Sequence, residues 1–582
     1  MDNTTSQPAK GKNLNPSIFS LLKPYSGMVS VLIIMALLSS LVNMLIPKII
    51  ARGIDAFSSK HYDMELVIVE FAVAAGTIFL FTFFQNIFQT YTSERVARDL
   101  RIQLSEKISR QSYTYIIKSN PSKLLTNLTS DVDAIKTFVS QAFVVIVSSI
   151  FVIIGTCILL ILINWKLALA VITIVPIIGF TFFIVLRKVR VLFKRSREII
   201  DSLNKIINES ILGSALIRVL NSQQPESMRF LEKNIESRDL GLSILRLFAT
   251  LVPVIQFVAN LAVITILVMG GHFIMVGSMS LGNFAAFYSY IMLLIFPVLM
   301  IGFMSNIIAH ASASYQRVYE VLEAAEIADA GTINSDIKGD VHLKNVSLFY
   351  QEKPVLKDIS FSIKAGSKTA IIGPTAAGKS QLLYLLTNLI SPTSGTIEFD
   401  GISADKYTKQ LFHSQIGFVF QDSVIFNMSL RENIAFNDKV TNESLEKAIA
   451  TAELTDFIDS LPQKLDTVVS ERGTSLSGGQ KQRIMLARAL AINPKILLLD
   501  DFTSRVDRTT ESKILCNLEN NYPNLTLISV TQKIAPVKNF DQIILLMEGE
   551  VIASGKHEEL KKSSPEYIQI YSSQRSTHHY EL

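Results

Sequence analysis

Apolar residues fall in two different patterns along this chain. In the first three hundred or so positions they form long, almost continuous runs, with neither the alternation of a half-buried strand nor the narrow stripe of a surface helix. Such runs lie near 27–50, 65–92, 136–163, 167–187, 246–276 and 281–308. A helix needs roughly 20 mostly apolar residues to cross a bilayer. A compact water-soluble domain has no use for six of them, so the pattern predicts six membrane spans. From about Val341 the pattern shortens. VHLKNVSLFY alternates like a strand, KTAIIGPTAAGKSQLLYLLTNL reads as strand, loop and helix, and KILLLDD is an apolar strand ending in two aspartates. The second part is therefore expected to be a water-exposed α/β domain.

The connections orient the spans. Only a few residues around Asn164, Trp165 and Lys166 separate the third and fourth runs, which puts the single tryptophan at a membrane–water boundary. Met275-Val276-Gly277-Ser278 joins the fifth and sixth. Two long segments follow the second and fourth runs. The first, about 93–135, carries Arg95, Arg98, Arg101, Lys107, Arg110, Lys118 and Lys123; the second, about 188–245, carries Lys188, Arg190, Lys194, Arg195, Arg197 and Lys205. Basic loops stay on the cytoplasmic side, which places both segments and both termini there. Each segment reads as helix–turn–helix, with turns near Ser119–Leu128 and Ser210–Leu220. Asn43, Gln85, Gln141, Gln256, Asn260, Tyr288 and Tyr290 are polar positions inside the spans. Hydrogen bonding between helices accounts for any one of them; as a set they would line a cavity for amphipathic cargo. Pro253 and Pro297 are expected to bend their helices.

Composition agrees with this division. Of 582 residues 49% are hydrophobic and 18% charged, against about 25% charged in ordinary soluble chains. The shortfall lies before about residue 320. A net charge of +5 follows from the basic flanks of the spans, and no nucleic-acid partner is expected. Cys157 and Cys516 cannot build a disulfide framework. Residues 1–14 have no apolar core, so they are expected to form a disordered tail rather than a secretory signal. The expected organisation is a membrane domain over 15–320, a linker over 321–338, the α/β domain over 339–575 and a tail over 576–582, whose two histidines are not expected to bind metal.

The chemistry begins at a phosphate-binding loop. Gly373, Gly378, Lys379 and Ser380 match GxxxxGK[ST], after a strand and opening a helix. The loop from Gly373 through Pro374, Thr375, Ala376 and Ala377 to Gly378 would surround a phosphate chain with backbone N–H groups. Lys379 would neutralise the outer phosphates, and the Ser380 hydroxyl would ligate Mg²⁺. Asp500, at the end of KILLLDD, would bring a second magnesium ligand beside that loop.

Leu476-Ser477-Gly478-Gly479-Gln480, followed by KQRIMLARAL and the acidic strand, resembles the signature of ATP-binding cassette proteins. With the six spans and their cytoplasmic extensions, nearly the whole chain is similar to a type IV exporter half-transporter. The resemblance implies an all-α six-helix transmembrane domain with long cytoplasmic helical extensions, fused to an α/β P-loop cassette. It implies ATP and Mg²⁺ as cofactors, a bacterial inner membrane and a small-molecule or lipid-like substrate. Tyr350 would stack on adenine, Gln421 would link the γ-phosphate and Mg²⁺ to the membrane domain, Glu471-Arg472-Gly473 would precede the signature, and Ser504 to Asp507 would form the D-loop. It also implies a dimer, in which Ser477, Gly478, Gly479 and Gln480 of one chain close over ATP held by the other. The turns would carry cassette motion into the spans, giving alternating access. Without an N-terminal cysteine-protease segment, cargo of the peptide-processing kind is not expected.

Four departures from the family pattern involve five positions. Asp501 stands where a glutamate usually serves as general base or positions water, and Gln532 replaces the switch histidine. In the phosphate loop Ala376 replaces a glycine and Gln381 a threonine. Arg505 stands in the D-loop where a small residue is normal. A shorter carboxylate and an amide that carries no proton would make a slow site. The pattern therefore resembles the degenerate-site subunit of a heterodimeric multidrug or lipid exporter. A homodimeric exporter that tolerates these residues, and a nucleotide-regulated channel or sensor, are the alternatives. The direction of transport rests on family analogy.

Overall fold

The computed structural model describes residues 17–59, 64–326, 331–350, 352–470, 473 and 475–578. The tail expected over 1–14, Glu471, Arg472 and the last four residues lie outside these. The chain divides into two units. One comprises Met1–Arg110 and Ser119–Ala325, the other Gln111–Lys118 and Glu326–Leu582.

The first unit is helical. Its elements are α1 (Ser26–Ser58), α2 (Met64–Ser109), α4 (Pro121–Ile163), α5 (Trp165–Ile172), α6 (Ile174–Leu212), α7 (Ser214–Val219), α8 (Gln223–Thr265), α9 (Gly271–Met275) and α10 (Leu281–Leu322), while α3 (Tyr113–Ser119) counts with the second unit. Among the described residues, five stretches are long and apolar enough to cross a membrane: Ile18–Ser58, Glu65–Ser109, Pro121–Ile163, Gln256–Met275 and Leu281–Leu322. Their outer surfaces are apolar, with Phe79 67% and Leu162 75% exposed, which suits lipid and not water. The fourth run expected from sequence, 167–187, is also helical but divided. Thr173 ends α5, and Arg187, Lys188 and Arg190 follow within α6, so neither helix alone has an apolar stretch of spanning length.

Local chemistry explains several joints. Asn164 starts α5, its Oδ1 accepting from the Lys166 and Leu167 N–H groups. Asp55 of α1 accepts from Ser280 Oγ and Gly282 N, both at 2.7 Å, at the start of α10. A Cβ on Gly282 would lie 2.0 Å from the Ala51 carbonyl oxygen, so only glycine fits there. Helix α4 contains two π turns, Asn127–Asp131 and Phe138–Ala142. Buried Asp131 meets Arg317 of α10 through two bonds of 3.0 and 2.5 Å. Among the polar span residues, Tyr290 donates to the Met44 carbonyl at 2.9 Å, a bond between two helices, and Gln256 donates to Asn260 at 3.2 Å within α8.

The turn after α2 lies earlier than Ser119–Leu128. Chain direction reverses between Ser109 and Pro121, with α3 inside the reversal. Asn120, at φ 63°, caps Ser122 and Pro121 occupies the first position of α4, so the next helix has already begun by Ser122. The second turn falls where expected, with Gly213 between α6 and α7.

The second unit holds two sheets. The first is antiparallel, in the order β2 (Lys353–Ile363), β1 (Val341–Tyr350), β4 (Ser394–Phe399), β5 (Ile402–Ser403). The second runs β10 (Glu550–Gly555), β9 (Gln542–Met547), β3 (Lys368–Ile372), β8 (Thr526–Thr531), β7 (Ile496–Asp500), β6 (Ile416–Val419), parallel from β9 to β6. Its central strands are buried on both faces, which is why they read as unbroken apolar runs. Helices α11 (Lys379–Leu386), α12 (Gly478–Ala491), α13 (Arg508–Asn521) and α14 (Pro565–His578) matter for the site. The segment expected as a linker is tied to this unit from Thr332 onward: Ile337 N donates to Gln415 Oε1 at 2.7 Å and Lys338 N to Asp400 Oδ2 at 2.6 Å.

Candidate nucleotide site

Strand β3 lies between β9 and β8 and ends at Ile372, so the loop that follows emerges at the carboxyl edge of the sheet. Two glycines are required by space as well as conformation. A Cβ on Gly373 would sit 1.9 Å from the Leu546 carbonyl oxygen, and one on Gly378, at φ 96°, would sit 2.7 Å from the Leu356 side chain. Ala376 has φ 65°, a left-handed conformation that costs an L-residue about 1–2 kcal/mol. The glycine expected at that position would be free of this cost. Lys379 is buried, and its Nζ donates to the carbonyls of Gly373 at 2.8 Å and Pro374 at 2.6 Å, bridging the loop.

A pocket of about 270 Å³ is lined by Thr375, Ala376, Ala377, Gly378, Lys379, Ser380 and Gln381, by Val355, Gln421, Asp500 and Asp501, and by Val530, Thr531 and Gln532. The fold thus gathers the loop, both aspartates, Gln421 and Gln532 from four separate parts of the sequence. Asp500 is buried at the end of β7 and accepts a hydrogen bond from the Ser380 hydroxyl. Asp501 follows in a left-handed turn at φ 47°, its N–H donating to the Val530 carbonyl at 2.9 Å. Gln532 Nε2 lies 3.4 Å from Thr375 Oγ1. Tyr350, at the end of β1, donates from its hydroxyl to Gln381 Oε1 at 2.7 Å.

Burial sets the electrostatics. It pushes the Asp500 carboxyl above the ordinary carboxylate range, against the Ser380 bond, and pushes Asp501 up as well, against the Lys533 and Lys379 charges. It pushes the Lys379 ammonium down, opposed by the two aspartates. Charged groups are thus held where water solvates them poorly, a setting that favours charged ligands of both signs. A carboxylate, a hydroxyl and an amide oxygen together make a donor set suited to a hard divalent cation.

The signature residues stand apart. Ser477 caps α12 in a reciprocal pair with Gln480, at 2.8 and 3.2 Å. Cβ atoms on Gly478 and Gly479 would lie 3.2 Å from Arg505 Cδ and 2.9 Å from the Arg505 carbonyl oxygen. The D-loop therefore packs on the signature glycines, and none of residues 477–480 lines the pocket of their own chain.

Three contacts were not foreseen from sequence. Lys533 sits within electrostatic reach of Asp501. Arg488 of α12, pushed down to about 10 by burial, donates to the carbonyls of Asn433 and Val424 at 2.6 and 2.9 Å and so ties the signature helix to the segment beyond Gln421. Gln574 of α14 bonds the backbone at Gln532 and Ile534. Gln574 belongs to no motif, and a separation of about forty residues hides its pairing.

Comparison with known proteins follows the same division. Residues 29–298 match the model of the ABC transporter transmembrane region, and residues 356–504 match that of the ABC transporter domain. The chain is 34% identical over 564 residues to the uncharacterized ABC transporter ATP-binding protein YfiB of Bacillus subtilis (strain 168), covering 95% of this chain and 98% of that protein. It is 29% identical over 566 residues to the ATP-dependent lipid A-core flippase of Syntrophus aciditrophicus (strain SB), covering 96% and 94%. A solved structure of a bacterial Atm1-family ABC exporter with ATP bound superposes with a TM-score of 0.79 at 23% identity, over 95% of this chain and 99% of that one.

Proposed function

The chain belongs to the ABC transporter family, in which ATP hydrolysis drives transport, and from that premise we propose that it is one half of an exporter of amphipathic, drug-like or lipid-like compounds. The observation that carries the dimer is the separation just described: the phosphate loop, Gln421, Asp500, Asp501 and Gln532 share one pocket, while Ser477–Gln480 do not line it. A second cassette has to supply a signature to this pocket. The apolar tip around α7, where Leu212 and Val219 are 80% and 82% exposed, is a surface that a second subunit would cover.

In this reading residues up to about 320 form the membrane domain and 339–575 the cassette, in a bacterial inner membrane with both termini cytoplasmic. Backbone N–H groups of the loop from Gly373 and the Lys379 ammonium hold the phosphate chain, and Tyr350 stacks on the base. Ser380, Gln421 and Asp500 would hold Mg²⁺, which neutralises phosphate charge when bound. Asp501 orients the attacking water from a shortened reach, and Gln532 donates to the γ-phosphate without carrying a proton. This chain's pocket is accordingly the slow one, retaining ATP between the cassettes, while its intact LSGGQ completes the faster site of a partner with glutamate and histidine. The flippase name of a relative and the sparsely charged spans support lipid-like cargo.

The test is to purify the chain alone and with a sister subunit. Slow turnover alone, and fast turnover together that depends on the partner's base, support the asymmetric pair. Fast turnover by the lone chain, unchanged by Asp501→Asn, overturns it, while fast turnover that Asp501→Asn abolishes selects the homodimer. ATP-dependent accumulation of a labelled amphiphile in inside-out vesicles separates a pump from a channel or sensor.

A further inference from the structure

Beyond β8 the chain turns at Gln532, Lys533 and Ile534. Thr531 is still paired with β3, and the Ile534 side chain is buried again. A cavity of about 1100 Å³ borders the turn, lined there by Gln532, Lys533, Pro536 and Gln574, so close packing does not hold it on that side. One side chain spans it. Gln574 Nε2 donates to the Gln532 carbonyl oxygen at 2.6 Å, and Gln574 Oε1 accepts from Ile534 N at 3.0 Å. A single carboxamide thus pairs with both ends of the turn, as a neighbouring strand would. Helix α14 is itself anchored. Tyr567 is fully buried, with its hydroxyl 2.6 Å from His557 Nδ1, and Tyr571 packs against the same imidazole. Positions 567, 571 and 574 share one face of the helix.

We propose that Gln574 is a positioning residue for γ-phosphate recognition. By fixing the Gln532 peptide, it keeps the Gln532 carboxamide over Thr375 of the phosphate loop, where the outermost phosphate would lie. The proposal rests on the reading of Gln532 as the phosphate-sensing residue. It makes the C-terminal helix, which belongs to no recognised nucleotide motif in this chain, part of the machinery that distinguishes ATP from ADP.

The test uses the intact transporter in lipid nanodiscs. ATP and ADP, each with Mg²⁺, compete with a photoreactive azido-ATP, and labelling is quantified on this subunit. Gln574→Met, which keeps size and removes both bonds, should weaken ATP about 5- to 20-fold and leave ADP within about twofold. Gln574→Glu, which keeps the acceptor for Ile534 but cannot donate to Gln532, should fall between. In a Gln532→Ala background Gln574→Met should add nothing, because its route is gone. Equal losses for ATP and ADP would mean general disruption and would overturn the proposal. So would an unchanged ratio in Gln574→Met and Gln574→Glu while Gln532→Ala lowers it. An unchanged ratio in Gln532→Ala removes the underlying reading of Gln532, and the clamp with it.

Discussion

The Tyr350 hydroxyl and Gln381 Oε1 meet at 2.7 Å, tying the end of β1 to the first turn of the phosphate-loop helix. Gln381 is one of the departures from the family pattern, and here it holds the ring proposed to receive adenine. Stacking needs the face of that ring, and the tether fixes which way the face points. Aromatic–base stacking contributes about 1–3 kcal/mol. Tyr350→Ala should therefore weaken ATP at this site at least about fivefold. Tyr350→Phe, which keeps the face and loses the tether, should cost about two- to threefold, as should Gln381→Thr. Nucleotide titration followed by tryptophan-independent fluorescence of a labelled ATP analogue checks the order; equal effects of Phe and Ala would contradict the stacking role.

Ala376 offers a gain of function. Its φ of 65° strains an L-residue, and glycine relieves the strain while adding freedom to the unfolded chain. The two effects partly cancel for stability. They do not cancel for the local loop, which glycine lets settle around phosphate. Ala376→Gly should tighten ATP binding about two- to fivefold with a melting temperature shifted by no more than about 2 °C. Weaker binding would show that the alanine methyl makes a contact the nucleotide uses.

Asp500 gives a pH dependence of defined sign. Burial raises its pKa in the folded protein above 3.8, so the folded state binds its proton more tightly than the unfolded state. Its contribution to stability is fully present below 3.8 and is lost as pH rises through the raised value. The nucleotide-free cassette should therefore become more stable on mild acidification by this residue's share. Mg²⁺-dependent ATP binding should fall over the same window, because the proton competes with the cation. Asp500→Asn should remove both dependences and raise the melting temperature of the nucleotide-free cassette by about 2–4 °C. Calorimetry with and without MgATP at two pH values reads this, and a melting temperature lowered by the substitution would contradict it.

In the helical unit, Asp131 is buried and Arg317 is its partner. Removing one member leaves an uncompensated charge, so Arg317→Ala should be more damaging than replacing the pair. A loss of about 2–4 kcal/mol is expected for Arg317→Ala, and at most about half of that for Asp131→Asn with Arg317→Met. Thermal inactivation of the purified protein in lipid checks the ranking. Equal losses would show that Arg317 matters by packing alone.

The two patterns of apolar residues marked the two units, because lipid and water impose different periodicities on a chain. The phosphate loop and Asp500 were readable because an apolar strand leads into each, whereas Gln421, Asp501 and Gln532 were placed only by the family resemblance. What sequence did not disclose was register and reversal. Thr173 interrupts an apolar run without altering its hydropathy, so the division between α5 and α6 left no trace in the pattern. The turn after α2 was assigned too late because α3 is short and mixed in polarity, while Asn120 and Pro121 mark the start of a helix only once the left-handed φ is known. Gln574 and Arg488 escaped for another reason. Each acts through backbone atoms of distant residues, and a carbonyl or N–H group has no identity in a sequence.

Residues 111–118 belong with the cassette although helices of the other unit flank them in sequence. Tyr113 sits edge-on to Tyr384, ring centres 5.4 Å apart, and Tyr384 packs in turn on Phe418 and Phe420. A soluble fragment cut at residue 331 would therefore lack part of its own fold and present a greasy aromatic socket to solvent. Such a fragment should be sticky when expressed alone, and a synthetic octapeptide of that stretch should restore its solubility.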